Sequence, residues 1–403
     1  MKKELCSETR QLVKIMTLYC FAATLSGIFI NIFIWRQTNN FAPIVIYNFF
    51  LFVALGIIYL FSGYWLLHYS ARSLVKLSFV NLTIFYALLI MLRERAIIWL
   101  VPLGLLKGIG EGLFWSGFNL HQYVHTRKSD RDYYFGVMTF WVSFASICGP
   151  LLGGLIVIVG NNLIKHSFIG YYVLFFLTAA VLCLAFQQAF KFPRFSKIQF
   201  KISDIKRVIV SNSNFKKVLG QQALLGLKDV SMITIISIFA FIILSNEFYL
   251  GLYSSIVGLC AAIFGFLAGK LLRSHNRIKL SFVSAVILST GAIVFAISQN
   301  IGTLIIYGAS VVLGAFLDIS LGTVYLSVID QDQRPWREKY AYFISRETVL
   351  GFGRITSYFL LWIFFTYFRQ ETVVKVWLVL AGLIIFGMWW LMKKTSMMSA
   401  DVQ

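Results

Sequence analysis

Acidic residues are scarce in this chain. There are 16 Asp+Glu among 403 residues, against 36 Lys+Arg, and charged residues of every kind make up only 13%. A sequence this poor in charge and 59% hydrophobic cannot cover the surface of an ordinary soluble domain. Proline is rare too, five in all, so long apolar runs proceed without the residue that most often breaks helices. Cysteine is also limited to five. Cys20, Cys148, Cys183 and Cys260 fall in apolar runs and Cys6 precedes the first of them, so none is placed for an extracellular disulfide and all are expected to be free thiols. No Gly-x-x-x-x-Gly-Lys-Ser/Thr loop occurs to cradle a nucleotide phosphate, which excludes a self-contained ATP-driven pump.

What remains is a series of apolar stretches of a length that spans the hydrocarbon core as a helix. Spans are predicted at 12–34, 44–67, 74–92, 97–119, 134–158, 168–190, 218–244, 248–272, 279–299, 302–328, 343–367 and 373–392. Most of the 36 Lys+Arg crowd into alternate loops, which places those loops and both termini in the cytoplasm. The formal charge of +20 is thereby accounted for by orientation and by anionic lipid headgroups, with no nucleic-acid partner. The basic N-terminus runs into apolar sequence without a small-residue cleavage site, so the first span is expected to be retained. The fold class expected is an all-α polytopic membrane protein of about twelve transmembrane helices in two six-helix, pseudo-symmetric halves.

The longest polar segment divides the chain into an N-terminal half (1–190), a basic cytoplasmic linker (191–217) and a C-terminal half (218–403). The halves match in register at two places. Arg131-Asp132 precedes Gly136 at the start of the fifth span, and Arg346-Glu347 precedes Gly351 at the same spacing in the eleventh. Glu111 lies about fifteen residues into the fourth span and Asp318 about sixteen into the tenth. A parallel repeat about an axis along the membrane normal superposes both pairs.

Span count, basic central loop and paired halves together resemble a major facilitator superfamily transporter along the whole chain. In that family the loop between spans two and three carries Gly-x-x-x-Asp-Arg/Lys-x-Gly-Arg. Gly63 keeps the first glycine here, Leu67, His68 and Ser70 stand at the acidic, basic and second glycine positions, and Arg72 restores a nearby cation. The second-half copy, Gly265 to Gly269-Lys270, keeps glycine and cation without the carboxylate. Gly149-Pro150-Leu-Leu-Gly153-Gly154 in the fifth span is similar to the Gly-Pro-x-x-Gly-Gly signature of the family's proton-coupled exporters. Small residues there permit close helix approach, and the proline frees a carbonyl. The resemblance implies alternating access around a midplane site built from spans one, four, seven and ten.

Ionisable residues inside a membrane are costly, so they face a partner or a water-filled cavity. Lys107 and Glu111 are one helical turn apart on one face, beside the small-residue stripe Gly104, Gly108 and Gly112. Lys228 and Asp229 fall near the middle of the seventh span, and Arg354 about two turns into the eleventh. One reading makes these a cavity charge network in which Glu111, Asp318 or Asp229 takes and releases a proton while Lys107, Lys228 or Arg354 compensates. The other is static pairing, Lys107 with Glu111 and Arg354 with a partner such as Asp318. Arg131-Asp132 and Arg346-Glu347 place an acid near a helix start, which suits either dipole capping or a gating latch.

His121 and His125 stand four apart, a metal-compatible spacing without a third ligand in sight, so interfacial histidines and no metal are expected. Phe114, Trp115, Phe140 and Trp141 are aromatic candidates for the cavity wall, where they would suit amphipathic or cationic organic substrates. The sequence therefore points to a monomeric secondary transporter in the cell membrane without cofactor or catalytic residues. Its partners are expected to be protons, membrane lipid and a small molecule, and its direction efflux. Uptake, lipid translocation, an intramembrane enzyme and a non-transporting sensor stay open as alternatives.

Overall fold

A computed structural model describes residues 5–125, 131–163, 168–192, 202–273, 275–333 and 339–400. These residues form α1 (Ser7–Thr38), α2 (Phe41–His68), α3 (Ala71–Leu92), α4 (Leu100–His125), α5 (Arg131–Leu163), α6 (Ile169–Ala189) and α7 (Ile202–Ser211). They continue with α8 (Ser213–Leu244), α9 (Glu247–Leu271), α10 (Arg277–Ile297), α11 (Ile301–Leu313), α12 (Ala315–Asp330), α13 (Tyr340–Tyr367) and α14 (Gln370–Ala400). Eleven helical runs among the described residues are long and apolar enough to cross a membrane. One of them, Ala71–Gln122, is 52 residues long and holds two spans. A 3-10 turn at Arg93–Trp99 reverses the chain, helped by positive φ at Arg93. Gly110 then lies against Leu82 and Gly117 against Ala71, the register of an antiparallel hairpin. The chain is thus an all-α membrane protein, with twelve spans among the described residues once that run is counted as two.

The tenth span is built from α11 and α12, interrupted at Gly314. Ser284 of α10 serves both sides of the interruption, donating to the Leu313 carbonyl at 2.7 Å and accepting from the Leu317 amide at 3.4 Å. An irregular backbone inside a bilayer needs such partners, because no water is there to replace them.

Two compact units emerge, Met1–Ile198 with Leu244–Ile256, and Gln199–Ile243 with Val257–Gln403. In the first, α2 and α4 run parallel with their backbones nearly touching. A Cβ on Gly104 would press on the Tyr47 carbonyl, one on Gly108 would strike the Leu51 carbonyl, and one on Gly112 would meet Ile58 at 3.0 Å. The same unit takes in the start of α9 through the motif of α5. Gly154 faces the Glu247 carbonyl and Gly251 faces that of Pro150, while Ser255 Oγ donates to the Ile147 carbonyl at 2.6 Å. On the other side of α5, Gly149 meets Thr24 and Gly153 meets Leu25 and Phe29 of α1.

In the second unit Gly226 of α8 packs on Leu350 and Gly353 of α13. Short amphipathic α7 sits inside the stretch that composition marked as linker. Its Val208 is buried with Phe215, Val218, Tyr325 and Tyr342, and its Asp204 pairs with Arg207 at 2.9 Å.

Candidate functional site

The first unit holds a polar cluster among α1, α2, α3 and α4. The Tyr19 hydroxyl of α1 donates to Glu111 Oε2 of α4. Tyr19 is held by its ring, stacked on Phe114 with centroids 3.5 Å apart and edge-on to Trp115 at 5.6 Å. Phe114 in turn stacks on Phe118 at 5.4 Å. Aromatic packing of this kind fixes where the hydroxyl points, which the many tyrosines of the sequence could not reveal.

Lys107, one turn before Glu111, does not close an ion pair with it. Its ammonium lies 5.5 Å from the Phe85 ring centre and 5.8 Å from that of Tyr86, on α3. The Tyr86 hydroxyl shares a 2.6 Å hydrogen bond with Ser26 of α1. Tyr47 of α2 brings a second hydroxyl near the ammonium, buried and without a hydrogen-bond partner among the described residues. Tyr19, Tyr86, Glu111, Ala22, Ala23 and Leu82 line a small space, with room for about one water.

The second unit carries the other charges. Arg354 Nη2 lies 3.3 Å from Asp229 Oδ2, both partly exposed. Asp229, rather than Asp318, is thus the partner of Arg354. Asp318 is exposed in the first turn of α12, with Lys228 and Asp229 as the charges nearest it. Gly226 and Gly353 let α8 and α13 approach closely enough for the Arg354–Asp229 pair to span them. Ser231 accepts from Trp377 Nε1 at 3.0 Å and Thr234 shares a 2.7 Å bond with Tyr358, fixing α8 further along.

Of the residues expected at helix starts, Arg346 donates to Gln222 Oε1 at 3.2 Å, lies over Tyr325 at 4.7 Å and contacts Glu347 at 3.3 Å. The side chains of Arg131 and Asp132 lie outside the described residues. Gly63 is buried in α2. Gly265 and Gly269 have open space around them, and Lys270 lies 4.3 Å from the centre of the Phe266 ring. His121 and His125 form a stacked pair with centroids 5.7 Å apart, and Phe192 lies on His121 at 4.3 Å. Among the described residues no three metal-ligating side chains gather. Phe140 and Trp141 are exposed, whereas Phe114 is buried.

One cluster was invisible to the sequence. Arg36 at the end of α1 grips Glu247 at the start of α9 with two bonds, Nε to Oε1 at 2.6 Å and Nη2 to Oε2 at 3.0 Å. The Tyr171 hydroxyl of α6 donates to the same Oε1 at 2.7 Å. Glu247 is 3% exposed. The residues lie far apart in the sequence and at span ends, where charge normally meets water, so spacing offered no signal.

Known proteins resemble this arrangement along the whole chain. The uncharacterized protein YqgE of Bacillus subtilis (strain 168) is 24% identical over 374 residues, covering 92% of this chain and 86% of its own. Among solved structures, the nucleoside transporter NupG superposes with a TM-score of 0.72 at 12% identity, over 96% of this chain and 100% of its own. A bacterial homologue of the human lysosomal transporter Spinster gives 0.67 at 16% identity, over 96% and 97%. These likenesses establish the fold. The sequence model that describes the Major Facilitator Superfamily matches residues 13–332. The chain therefore belongs to the Major Facilitator Superfamily, and is a multi-pass membrane transporter rather than an enzyme.

Proposed function

We propose that the protein is a proton-coupled exporter of a small amphipathic or cationic organic compound, with Glu111 as the proton carrier. The observation that supports this most is the narrow setting of Glu111. Tyr19 caps its carboxylate and the space beside it takes about one water. A proton fits there and an organic substrate does not. A carboxylate that exchanges a tyrosine for water or a cation as access alternates gains and loses a proton with it. Lys107, held over Phe85 and Tyr86 and in no ion pair among the described residues, compensates the carboxylate charge.

Substrate contact falls to the more open charges Asp229, Asp318, Lys228 and Arg354, which are partly or fully exposed. Efflux rests on the Gly149-Pro150-x-x-Gly153-Gly154 signature. Cytoplasmic termini rest on the Lys/Arg distribution, and with them the reading of a monomer in the cell membrane built from the two halves 1–190 and 218–403. Arg131-Asp132 and Arg346-Glu347 are read as gating positions.

The test uses inside-out vesicles with an imposed proton gradient, challenged with tetraphenylphosphonium and a panel of lipophilic dyes. Export predicts that a transported compound discharges the gradient and accumulates in the vesicle lumen. Glu111→Gln should abolish both while leaving the protein folded. Accumulation indifferent to the gradient and to Glu111 would remove proton coupling, and gradient-driven loss from the lumen would reverse the direction.

A further inference from the structure

A second pocket opens in the first unit, away from Glu111, with two cations set in a largely apolar wall. It is about 630 Å³ in volume and lies at the turn between α2 and α3, beside the end of α6. Two cations enter it one turn apart on α3. Lys76 Nζ sits 3.7 Å from the centre of the Phe190 ring, and the Arg72 guanidinium sits 6.0 Å from the same ring. Among the described residues neither has a carboxylate within ion-pair distance; the ion pairs found there all join other side chains.

The pocket walls are ordered. Trp65 Nε1 donates to Ser73 Oγ at 3.0 Å, and Ser73 Oγ donates to the Ser70 carbonyl at 2.6 Å. Tyr69 packs on Trp65 with centroids 4.8 Å apart. Ser70 is the N-cap of α3, yet its side chain makes no capping bond; the Ser73 amide already donates to the Ser70 carbonyl at 2.9 Å, which leaves the Ser70 hydroxyl and the amides of Ala71 and Arg72 to face the space. Two uncompensated cations, a free hydroxyl and a helix start converge on one space, and that combination suits a phosphate monoanion.

A second feature says what carries the phosphate. Leu77, Val80 and Ile84 follow Lys76 on α3 at steps of three and four, which puts them on one face. They are 42%, 39% and 47% exposed, and Leu77 and Val80 also line the pocket. From Lys76 to Ile84 the helix advances about 12 Å. A free phosphate has no use for such a track, whereas an acyl chain below a headgroup does.

The geometry points to a binding site for an anionic phospholipid, with its phosphodiester between Arg72 and Lys76 and one acyl chain along Leu77, Val80 and Ile84. Selectivity follows from net charge. A lipid whose phosphate is offset by its own ammonium brings less attraction to two unpaired cations than phosphatidylglycerol does.

The experiment measures thermal stability of the purified full chain in detergent, titrated with dioleoyl phosphatidylglycerol, dioleoyl phosphatidylcholine, dihexanoyl phosphatidylglycerol and glycerol phosphate. The long-chain anionic lipid should stabilise at concentrations where the other three do not. Each of Arg72→Gln and Lys76→Gln should raise the concentration needed about 5-fold, which corresponds to about 1 kcal/mol per cation, and the double variant about 30-fold. Melting of each variant in phosphatidylcholine alone reports whether it is folded. Leu77→Gln supplies an independent arm, since it should weaken the long-chain lipid and leave both cations in place. Equal stabilisation by phosphatidylcholine, equal stabilisation by glycerol phosphate, or undiminished response in the folded double variant would each overturn the assignment.

Discussion

Replacing Glu247 by alanine should loosen the start of α9 from the first unit, and the cost follows from three bonds. Two run from Arg36 at 2.6 and 3.0 Å and one from Tyr171 at 2.7 Å. Removing one member of a buried ion pair costs about 3–5 kcal/mol where the remaining charge stays buried. Arg36 is 33% exposed and can turn to water, so the ionic share falls at or below the lower end of that range. Tyr171 is fully buried and its hydroxyl loses its acceptor, at about 1–3 kcal/mol. The expected total is about 3–4 kcal/mol for Glu247→Ala. Glu247→Gln, which still accepts from Tyr171, should cost about half as much. Hydrogen exchange over Leu244–Ile256 is the suitable assay, because a protein of this size need not unfold in one step and local opening is read directly. A double-mutant cycle with Arg36→Gln isolates the pair. Coupling should exceed about 1.5 kcal/mol, and additivity within about 0.5 kcal/mol would refute the claim that Arg36 and Glu247 hold each other.

Gly108→Leu should prevent α2 and α4 from meeting at the Leu51 carbonyl, costing more than about 3 kcal/mol or abolishing expression of folded protein; a normal melting temperature would contradict the contact. Gly136→Ala is the opposite case, with nothing within 4 Å of the new methyl, and should stabilise α5 by about 0.5–1 kcal/mol in thermal unfolding. Tyr19→Phe should remove the hydroxyl that donates to Glu111 while keeping the ring stack on Phe114, so that gradient-driven transport changes but the melting temperature falls by no more than about 1 kcal/mol allows; unchanged transport would contradict a role for the contact. Trp377→Phe should cost about 1 kcal/mol in unfolding by removing the bond to Ser231, with the loss absent in a Ser231→Ala background.

Much of the fold was legible because a bilayer imposes a length and a polarity that few other settings impose. The α3–α4 hairpin follows from a few polar residues around Arg93 that interrupt an otherwise apolar run. Glu111 and Lys107 stood out because a charge in such a run is costly. Their partners did not stand out. Tyr19 is one of 19 tyrosines, and neither period nor spacing separates it from those facing lipid. Glu111 and Lys107 one turn apart suggested a mutual pair, but the structure gives the acid a phenol and the base two aromatic rings. For Arg354 the sequence offers several acids, Asp318 and Asp229 among them, and the approach of α8 to α13 at Gly226 brings Asp229 to it. Helix α7 was hidden by the basic residues around it, because ten residues are too few for a hydropathy signal and its apolar face is visible only once it packs. The grip of Arg36 on Glu247 joins residues 211 positions apart, beyond any local pattern.

The glycines of α4 have a consequence for how motion passes through the first unit. Where Gly104 and Gly108 meet the main chain of α2, there are no rotamers to rearrange, so the two helices share one rigid frame. A displacement of Glu111, one residue from that seam, is delivered to α2 without slack. Neither helix can slide along the other without driving main chain into main chain, so α2 and α4 behave as one two-stranded lever inside the first unit.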